Sequence, residues 1–473
     1  MLVLSGAHVT SSCSDITGRD PNGWKLLGIY YCGVFYGDVD DLRAAMKKPD
    51  FVRTEKTFVT QSMMTNRTGE ILPYDTEAPP ILVQTQKRFT VDKKQKYVKW
   101  MDFEFYIGFN KDVAVTLYNI KYKGERIFYE LGLEEALAHY AGSDPKPSHT
   151  TFLDAYYGFG PNVFELVKGY DCPWNSEYLD TSLHMDGNTT TNVDSICLYE
   201  SDAGFPIQRH TTHRMATVTR NTVFNLRFVS TIGNYDYQFT YSFLLDGSIE
   251  VAARASGYIQ ATYYYGNEDF VPATVKYPWD KKEMKTMKVE RSILKTEDDA
   301  KINWAANGAA MYNIINKDTP NESGHFATHH MYATKHKDTE KHLTHSANNM
   351  DSGKPIIDFS KFFDGESLEQ EDLVLWFNVG MHHLPHTGDL PITLISTAQS
   401  SVIFSPHNYL LSDPSRQTVQ QVELDLMGEK VAVDTYGKKV ASCQTPLFVD
   451  GDYTDYVGGY TISKMPRVPC ENC

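Results

Sequence analysis

The tightest constraint on how this chain can fold lies between residues 224 and 255, where apolar and aromatic side chains recur at every second position through successive reversals. Phe224, Leu226 and Phe228 alternate first, then Tyr237, Phe239, Tyr241 and Phe243, and finally Ile249, Val251, Ala253 and Ala255. A period of two puts each set on one face of an extended strand, whereas a helix would scatter it around its circumference. Asp246-Gly247 supplies a tight-turn signal between the second and third runs. The same pattern recurs at Val113, Val115 and Leu117, followed by Lys123-Gly124-Glu125 and then Ile127, Tyr129 and Leu131. It recurs again at Val422, Leu424 and Leu426, then Gly428, then Val431 and Val433. With 473 residues, of which 41% are hydrophobic, the chain can bury one or two sizeable cores. Many strands joined by short turns give a mainly β fold, a large antiparallel β-sandwich.

Before Pro79-Pro80 the pattern changes. Gly28-Ile29-Tyr30-Tyr31-Cys32-Gly33-Val34-Phe35-Tyr36 reads as a strand, and Asp40-Asp41-Leu42-Arg43-Ala44-Ala45-Met46 as a helix start. The expected division is therefore a small α+β remnant over 1–78 and a sandwich domain over 79–473. A net charge of −15 argues against nucleic acid as a partner and is compatible with attraction of cationic amines. No run of 18 or more apolar residues exists, so no membrane partner is expected.

Four segments carry the chemistry. Thr231-Ile232-Gly233-Asn234-Tyr235-Asp236-Tyr237 stands at the head of the central hairpin. Upstream are Phe128-Tyr129-Glu130-Leu131-Gly132-Leu133-Glu134-Glu135-Ala136-Leu137-Ala138-His139-Tyr140 and Thr151-Phe152-Leu153-Asp154-Ala155-Tyr156-Tyr157-Gly158-Phe159-Gly160. Downstream is Gly380-Met381-His382-His383-Leu384-Pro385-His386-Thr387-Gly388-Asp389-Leu390-Pro391. Alone, the first of these is two alternate tyrosines on an aromatic strand. Together and in this order the four resemble the copper amine oxidases, especially fungal members.

That resemblance implies a primary-amine oxidase, in which amine, oxygen and water give aldehyde, ammonia and hydrogen peroxide. Tyr235 takes the place of the tyrosine that copper and dioxygen convert to topaquinone. The chemistry needs that conversion, because a phenol is a poor electrophile whereas a quinone carbonyl accepts attack by a primary amine. Asn234 and Asp236 flank the ring, Asn234 limiting its swing. Asp154 matches the catalytic base, a role that requires an apolar site to raise its pKa toward neutrality. Tyr140 matches the tyrosine that hydrogen-bonds the quinone oxygen, and Phe152 the aromatic substrate gate. His383 takes a copper-ligand position; the family's Glu is here Gly388, while Asp389 and Pro391 fit. The resemblance also implies a homodimer and admits a peripheral calcium.

One part of the family pattern is missing. Copper in the quinone site is held by three imidazoles, two of them from a His-x-His pair roughly fifty residues beyond the quinone tyrosine. This chain has 16 histidines, and no two of them are separated by one residue. The stretch Ala255-Ser256-Gly257-Tyr258 through Phe270 still resembles the family, as does Thr286-Met287-Lys288-Val289-Glu290-Arg291-Ser292. Between them Phe270 runs almost directly into Val271-Pro272-Ala273-Thr274-Val275, so an internal deletion near 270–275 explains the loss better than gradual substitution does. The dense group His325, His329, His330, His336, His342 and His345 lies in a polar stretch without strand pattern and reads as a solvated loop. His382 would point to the opposite face from His383, and His210 and His213 read as structural. One histidine of three should hold copper weakly and leave Tyr235 unmodified. The alternative to an active oxidase is therefore a non-catalytic β-sandwich of the same lineage.

Seven cysteines are an odd number, so at least one has no partner within the chain. Cys172 and Cys197 match the positions of the family's disulfide, Cys443, Cys470 and Cys473 could add another, and reduced buried thiols are the alternative. Disulfides would imply an oxidising compartment and a secreted protein. Sequons at Asn66, Asn188 and Asn321 agree but are no more than chance supplies. Met1-Leu2-Val3-Leu4-Ser5 is too short for a signal peptide, so the true start is expected to lie upstream.

Overall fold

The computed structural model describes residues 10–15, 21–23, 25–31, 34–51, 87–139, 151–185, 187–259, 331–338, 362–381, 383, 386, 389, 392–413, 420–428 and 431–436, together with the backbone of 273–276, 284–293 and 310–316. Outside them lie Pro79-Pro80, Tyr140, Phe270 to Pro272, His382, Gly388 and Pro391. Cys443, Cys470, Cys473 and the sequons at Asn66 and Asn321 lie outside them too.

Two antiparallel sheets face each other across the main core. The first is a meander of five strands, Phe89–Asp92, Tyr97–Trp100, Phe103–Asn110, Ala114–Tyr122 and Glu125–Gly132. The second has six strands in the order Glu177–Met185, Asn188–Asp202, Thr222–Ile232, Tyr235–Leu244, Ile249–Gly257 and Gln399–Phe404. The three central runs legible in the sequence form adjacent strands, with Phe228 opposite Phe239 and Phe239 opposite Ala253.

The alternation decides what fills the space between the sheets. Phe224, Leu226 and Phe228 are fully buried on one face of their strand, and Phe243, Tyr241 and Phe239 on one face of the next. They meet Phe89, Trp100, Phe103 and Phe105 from the five-stranded sheet. Phe105 stacks on Phe243 at 4.6 Å between ring centroids, and Phe224 packs against Phe89 at 4.9 Å and Trp100 at 5.7 Å. Each such aromatic contributes roughly 1.5–3 kcal/mol by leaving water, with ring geometry adding up to about 1.5 kcal/mol per pair. The core edge is closed by Glu200, which accepts from Trp100 Nε1 at 3.1 Å and Arg88 Nε at 2.9 Å. Its neighbour Arg88 is only partly buried, so the pair keeps access to water on one side.

Elsewhere the expected hairpins are present. Ala114–Tyr122 and Glu125–Gly132 pair around Lys123-Gly124, and Gln421–Asp425 pairs with Ala432–Tyr436. The latter pair joins a separate four-stranded sheet with Gln208–Thr211 and Met215–Thr219. That sheet carries His210 on an exposed strand and leaves His213 exposed in the adjoining turn.

The N-terminal segment differs in detail. Residues 28–36 are not one strand: Lys25–Tyr31 and Val34–Tyr36 are two strands of a hairpin, with Tyr31 opposite Val34. Nine apolar and aromatic residues in a row carry no alternation, so only the Cys32-Gly33 pair could have marked the reversal. The helix is Val39–Met46, capped by Asp38, whose side chain accepts from the Asp41 amide at 2.8 Å. Among the described residues no helix is long and apolar enough to cross a membrane.

Cys172 and Cys197 form a disulfide within a small buried group containing Leu166, Tyr178 and Tyr199. It pins the loop after residue 163 to the second strand of the six-stranded sheet.

Phe224 touches four other core rings, so Phe224→Ala should open a cavity that the two rigid sheets cannot close. The expected loss is about 3–5 kcal/mol of unfolding free energy, read as a lower denaturant midpoint at unchanged slope; a loss below 1 kcal/mol would show that the sheets are not packed as described.

Candidate functional site

Tyr235 begins its strand directly after a two-residue turn. Ile232 pairs with Tyr235, and Gly233 has φ +60°, the positive φ that a type II′ turn requires at its first central residue. Asn234 is half-buried at the tip, and its carbonyl accepts from Tyr258 N at 2.9 Å. The neighbouring strand approaches closely here. A Cβ on Gly257 would lie 2.1 Å from Asn234 O and 2.8 Å from Tyr235 Cα, so a larger residue would displace the backbone that presents the ring. Asp236 is exposed and takes the opposite face of the strand, where its carboxylate accepts from Thr231 Oγ1 at 2.7 Å.

Tyr235 and Tyr237 share a face, with ring centroids 6.4 Å apart. The Tyr237 hydroxyl donates to Asp154 Oδ2 at 2.7 Å. The structure therefore brings Asp154 to the strand of Tyr235 through a direct bond to Tyr237. Asp154 opens a short 3₁₀ turn, Asp154–Tyr156, held in place from several sides. Its amide donates to Ala136 O at 2.9 Å, Ser230 Oγ donates to Phe159 O at 2.8 Å, and Gly160 N donates to Lys111 O at 3.1 Å. A Cβ on Gly160 would meet Asn110 O at 2.2 Å, which is the physical reason for glycine in this motif.

Burial pushes the Asp154 carboxyl up to about 6, with the Tyr237 hydroxyl pulling it down. A base that titrates near neutrality and is aimed along the strand of Tyr235 is what proton abstraction there would need. A second carboxyl lies beside it. Burial raises Glu135 to about 7; the Ala155 and Ala136 amides oppose this, and the charges of Asp154 and Glu134 add to it.

Phe152 reaches the same neighbourhood on the strand that leads into Asp154. Thr151–Leu153 pairs with Leu137–His139, with Phe152 opposite Ala138. Tyr140 follows His139 in the chain and lies outside the described residues.

On the other side of Tyr235 a buried polar network forms. The Tyr235 hydroxyl lies 3.3 Å from Thr393 Oγ1. Thr393 is itself tied to the end of the adjacent strand, its amide donating to Gly257 O at 2.7 Å and its carbonyl accepting from Ser256 Oγ at 2.8 Å. Burial raises the Tyr235 pKa, the Thr393 bond opposes that, and the nearby Asp389 charge adds to it. Asp389 has a fully buried side chain, and burial alone would raise its pKa. The His386 amide at 2.9 Å and His383 Nε2 at 3.1 Å on Oδ2 outweigh that, so it is held below the usual carboxylate range. Since Nε2 faces a carboxylate, it carries the proton of the neutral ring, and the lone pair that a metal would take sits on Nδ1.

The donor set is nevertheless incomplete. Among the described residues no group of three or more His, Cys, Asp or Glu side chains could hold a metal ion. His336 is edge-on to Tyr129 and 3.7 Å from Asp338.

The sequence reading did not single out Glu135, Thr393 or the bond from Tyr237 to Asp154. Tyr237 was detectable in principle, since alternate residues of one strand share a face. For Thr393, 158 residues from Tyr235, no sequence signal exists.

Comparison with known proteins gives the following. The family described as copper amine oxidase, enzyme domain, matches residues 90–278 and 322–425, and a domain of unknown function matches residues 11–70. A copper amine oxidase of Bipolaris victoriae is 39% identical over 87% of this chain and 68% of its own length. A copper-containing amine oxidase of Mus musculus is 26% identical over 86% of this chain and 62% of its own. Among solved structures, Aspergillus nidulans amine oxidase matches with a TM-score of 0.75 at 42% identity, covering 93% of this chain and 68% of that one. Pichia pastoris lysyl oxidase matches with a TM-score of 0.76 at 32% identity, covering 95% and 71%. The chain thus spans roughly two thirds of the length of these relatives.

Two outcomes test the site. The folded-state pKa values of Asp154 and Glu135 are raised above those of the unfolded chain, so their protonated forms favour the fold. Stability from them is full below about pH 4 and is lost as pH rises through about 6 and about 7. Unfolding free energy should therefore fall across this window, with Asp154 contributing about 3 kcal/mol, and Asp154→Asn should remove that part; a flat profile in the parent chain would contradict the burial. Tyr237→Phe removes a bond that favours the carboxylate, so the Asp154 midpoint should rise in a carboxyl-carbon NMR titration, whereas an unchanged midpoint would show that the bond is absent in solution.

Proposed function

The chain belongs to the copper amine oxidase family, and from that premise we propose that its site is organised for oxidation of primary amines, in which amine, dioxygen and water give aldehyde, ammonia and hydrogen peroxide. In this reading Tyr235 is the residue converted to topaquinone, Asp154 the base, Tyr140 the partner of the ring oxygen, Phe152 the substrate gate and His383 a copper ligand. The single observation that carries it is Asp154, raised to about 6 by burial and fixed by Tyr237 two residues beyond Tyr235.

The quinone, once present, supplies the carbonyl that takes up the amine and accepts its electrons. The chain's own residues do the rest. Asp154 is poised near half-ionisation around pH 6, so it can take a proton from substrate carbon and hold it in a site where the neutral acid is favoured. Tyr237 keeps one carboxylate oxygen in place while the other remains available. Thr393 and the backbone contact at Gly257 fix the Tyr235 ring at its hydroxyl and at its Cα. Asp389 orients His383 with Nδ1 as its acceptor nitrogen.

Among the described residues no group of side chains could hold copper as three imidazoles would. His383 is one suitable donor; the His-x-His pair is missing from the sequence itself. That observation favours a second reading, in which the chain as written is a non-catalytic β-sandwich of the family that keeps Tyr235 as tyrosine. A homodimer, a peripheral calcium and a secreted location belong to the proposal as well; the Cys172–Cys197 disulfide supports the last of these.

The two readings separate on one preparation. On the non-catalytic reading the chain, expressed with copper and oxygen, retains less than one copper per chain and gives no redox-cycling quinone stain. One copper and one quinone per chain, the quinone alone lost in Tyr235→Phe and both lost in His383→Ala, would establish the catalytic reading and rule out the non-catalytic one.

A further inference from the structure

Glu135 is a buried acid that the reaction scheme does not use, and its contacts are specific. Its Oε1 accepts two backbone amides, Ala136 N at 2.9 Å and Ala155 N at 3.0 Å. Ala136 precedes the strand Leu137–His139, and Ala155 follows Asp154 in the 3₁₀ turn. The Asp154 amide returns the contact by donating to Ala136 O at 2.9 Å. One carboxyl oxygen therefore closes the end of the ribbon formed by Leu137–His139 and Thr151–Leu153, at the point where one strand runs toward Tyr140 and the other delivers Asp154.

We infer that Glu135 is a positioning residue for Asp154, its side chain clamping the turn that carries Asp154 to the ribbon that leads to Tyr140. The inference rests on Asp154 being the base of the proposed reaction. Without the clamp, the turn's remaining hydrogen bond to Ala136 is that of the Asp154 amide, and the Ala155 amide loses its acceptor. The Asp154 carboxyl would then lose its fixed approach to Tyr237.

Glu135 also faces Asp154 as a charge. The titratable groups around the pair are Glu134 beside Glu135, and Tyr157 and Tyr237 beside Asp154. Glu135 titrates at about 7 and Asp154 at about 6, so Asp154 ionises while Glu135 is still neutral. The charge on Asp154 opposes ionisation of Glu135 beside it.

The test compares Glu135→Gln, which retains an acceptor oxygen, with Glu135→Leu, which does not, by amide exchange at Ala155 and by carboxyl-carbon titration of Asp154. Both are read on the chain as expressed, so neither depends on copper, quinone or turnover, and a failure of the proposed oxidation would leave them unaffected. Glu135→Gln should keep the parent exchange rate and the parent Asp154 midpoint. Glu135→Leu should exchange Ala155 roughly 10- to 100-fold faster and raise the Asp154 midpoint as the Tyr237 bond loosens. Equal behaviour of the two variants, or parent behaviour of Glu135→Leu, would overturn the clamp. Should Glu135→Leu fail to fold, Asp154→Asn decides the charge relation: the Glu135 midpoint should fall below about 7, and an unmoved midpoint would show that the two acids do not share a pocket.

Discussion

The alternation of side chains along Tyr235–Leu244 is the constraint from which both core and site follow. Phe243, Tyr241 and Phe239 occupy one face and enter the core between the sheets; Tyr237 and Tyr235 continue the same face beyond it. The strand is thus anchored at one end by aromatic packing and presents two tyrosines at the other. Because the period is two, a slip of one residue would turn all five rings outward at once. The register is fixed on one side by the two-residue turn after Ile232 and on the other by the close backbone contact at Gly257. The position of Tyr235 is in this sense a consequence of core packing.

The electrostatics of the site follow from the same burial. Asp154 and Glu135 are raised toward neutrality by burial, and Asp389 is kept ionised because two donors outweigh its burial. Tyr235 sits between these two environments. On one side the acids favour holding protons; on the other a fixed negative charge orients His383 and disfavours ionisation of the phenol. Two carboxylates with different surroundings can take different parts in one reaction, as base and as ligand orienter.

Much of this was legible in the sequence. The central hairpins follow from periodicity, the segments carrying Asp154, Tyr235 and His383 from motif order, and the disulfide partners from the resemblance to the family. The N-terminal reversal did not, because residues 28–36 offer unbroken apolar and aromatic side chains without alternation. The roles of Glu135 and Thr393 were not legible either. Glu135 works through backbone amides, which any sequence supplies, and Thr393 reaches Tyr235 only because the strands between them bring distant segments together. Asp236 lies beside Tyr235 in sequence, yet strand alternation places its carboxylate on the opposite face against Thr231.

The central proposal is that this chain keeps the organic part of an amine oxidase site while its sequence lacks the His-x-His pair of the metal part. A crystal structure of the copper-soaked protein, with anomalous scattering recorded at the copper edge, tests it most directly. The account predicts Tyr237 bonded to Asp154, Tyr235 present as an unmodified ring, and no full-occupancy copper beside His383. A strong anomalous peak bonded to His383 Nδ1 and two further imidazoles would contradict it.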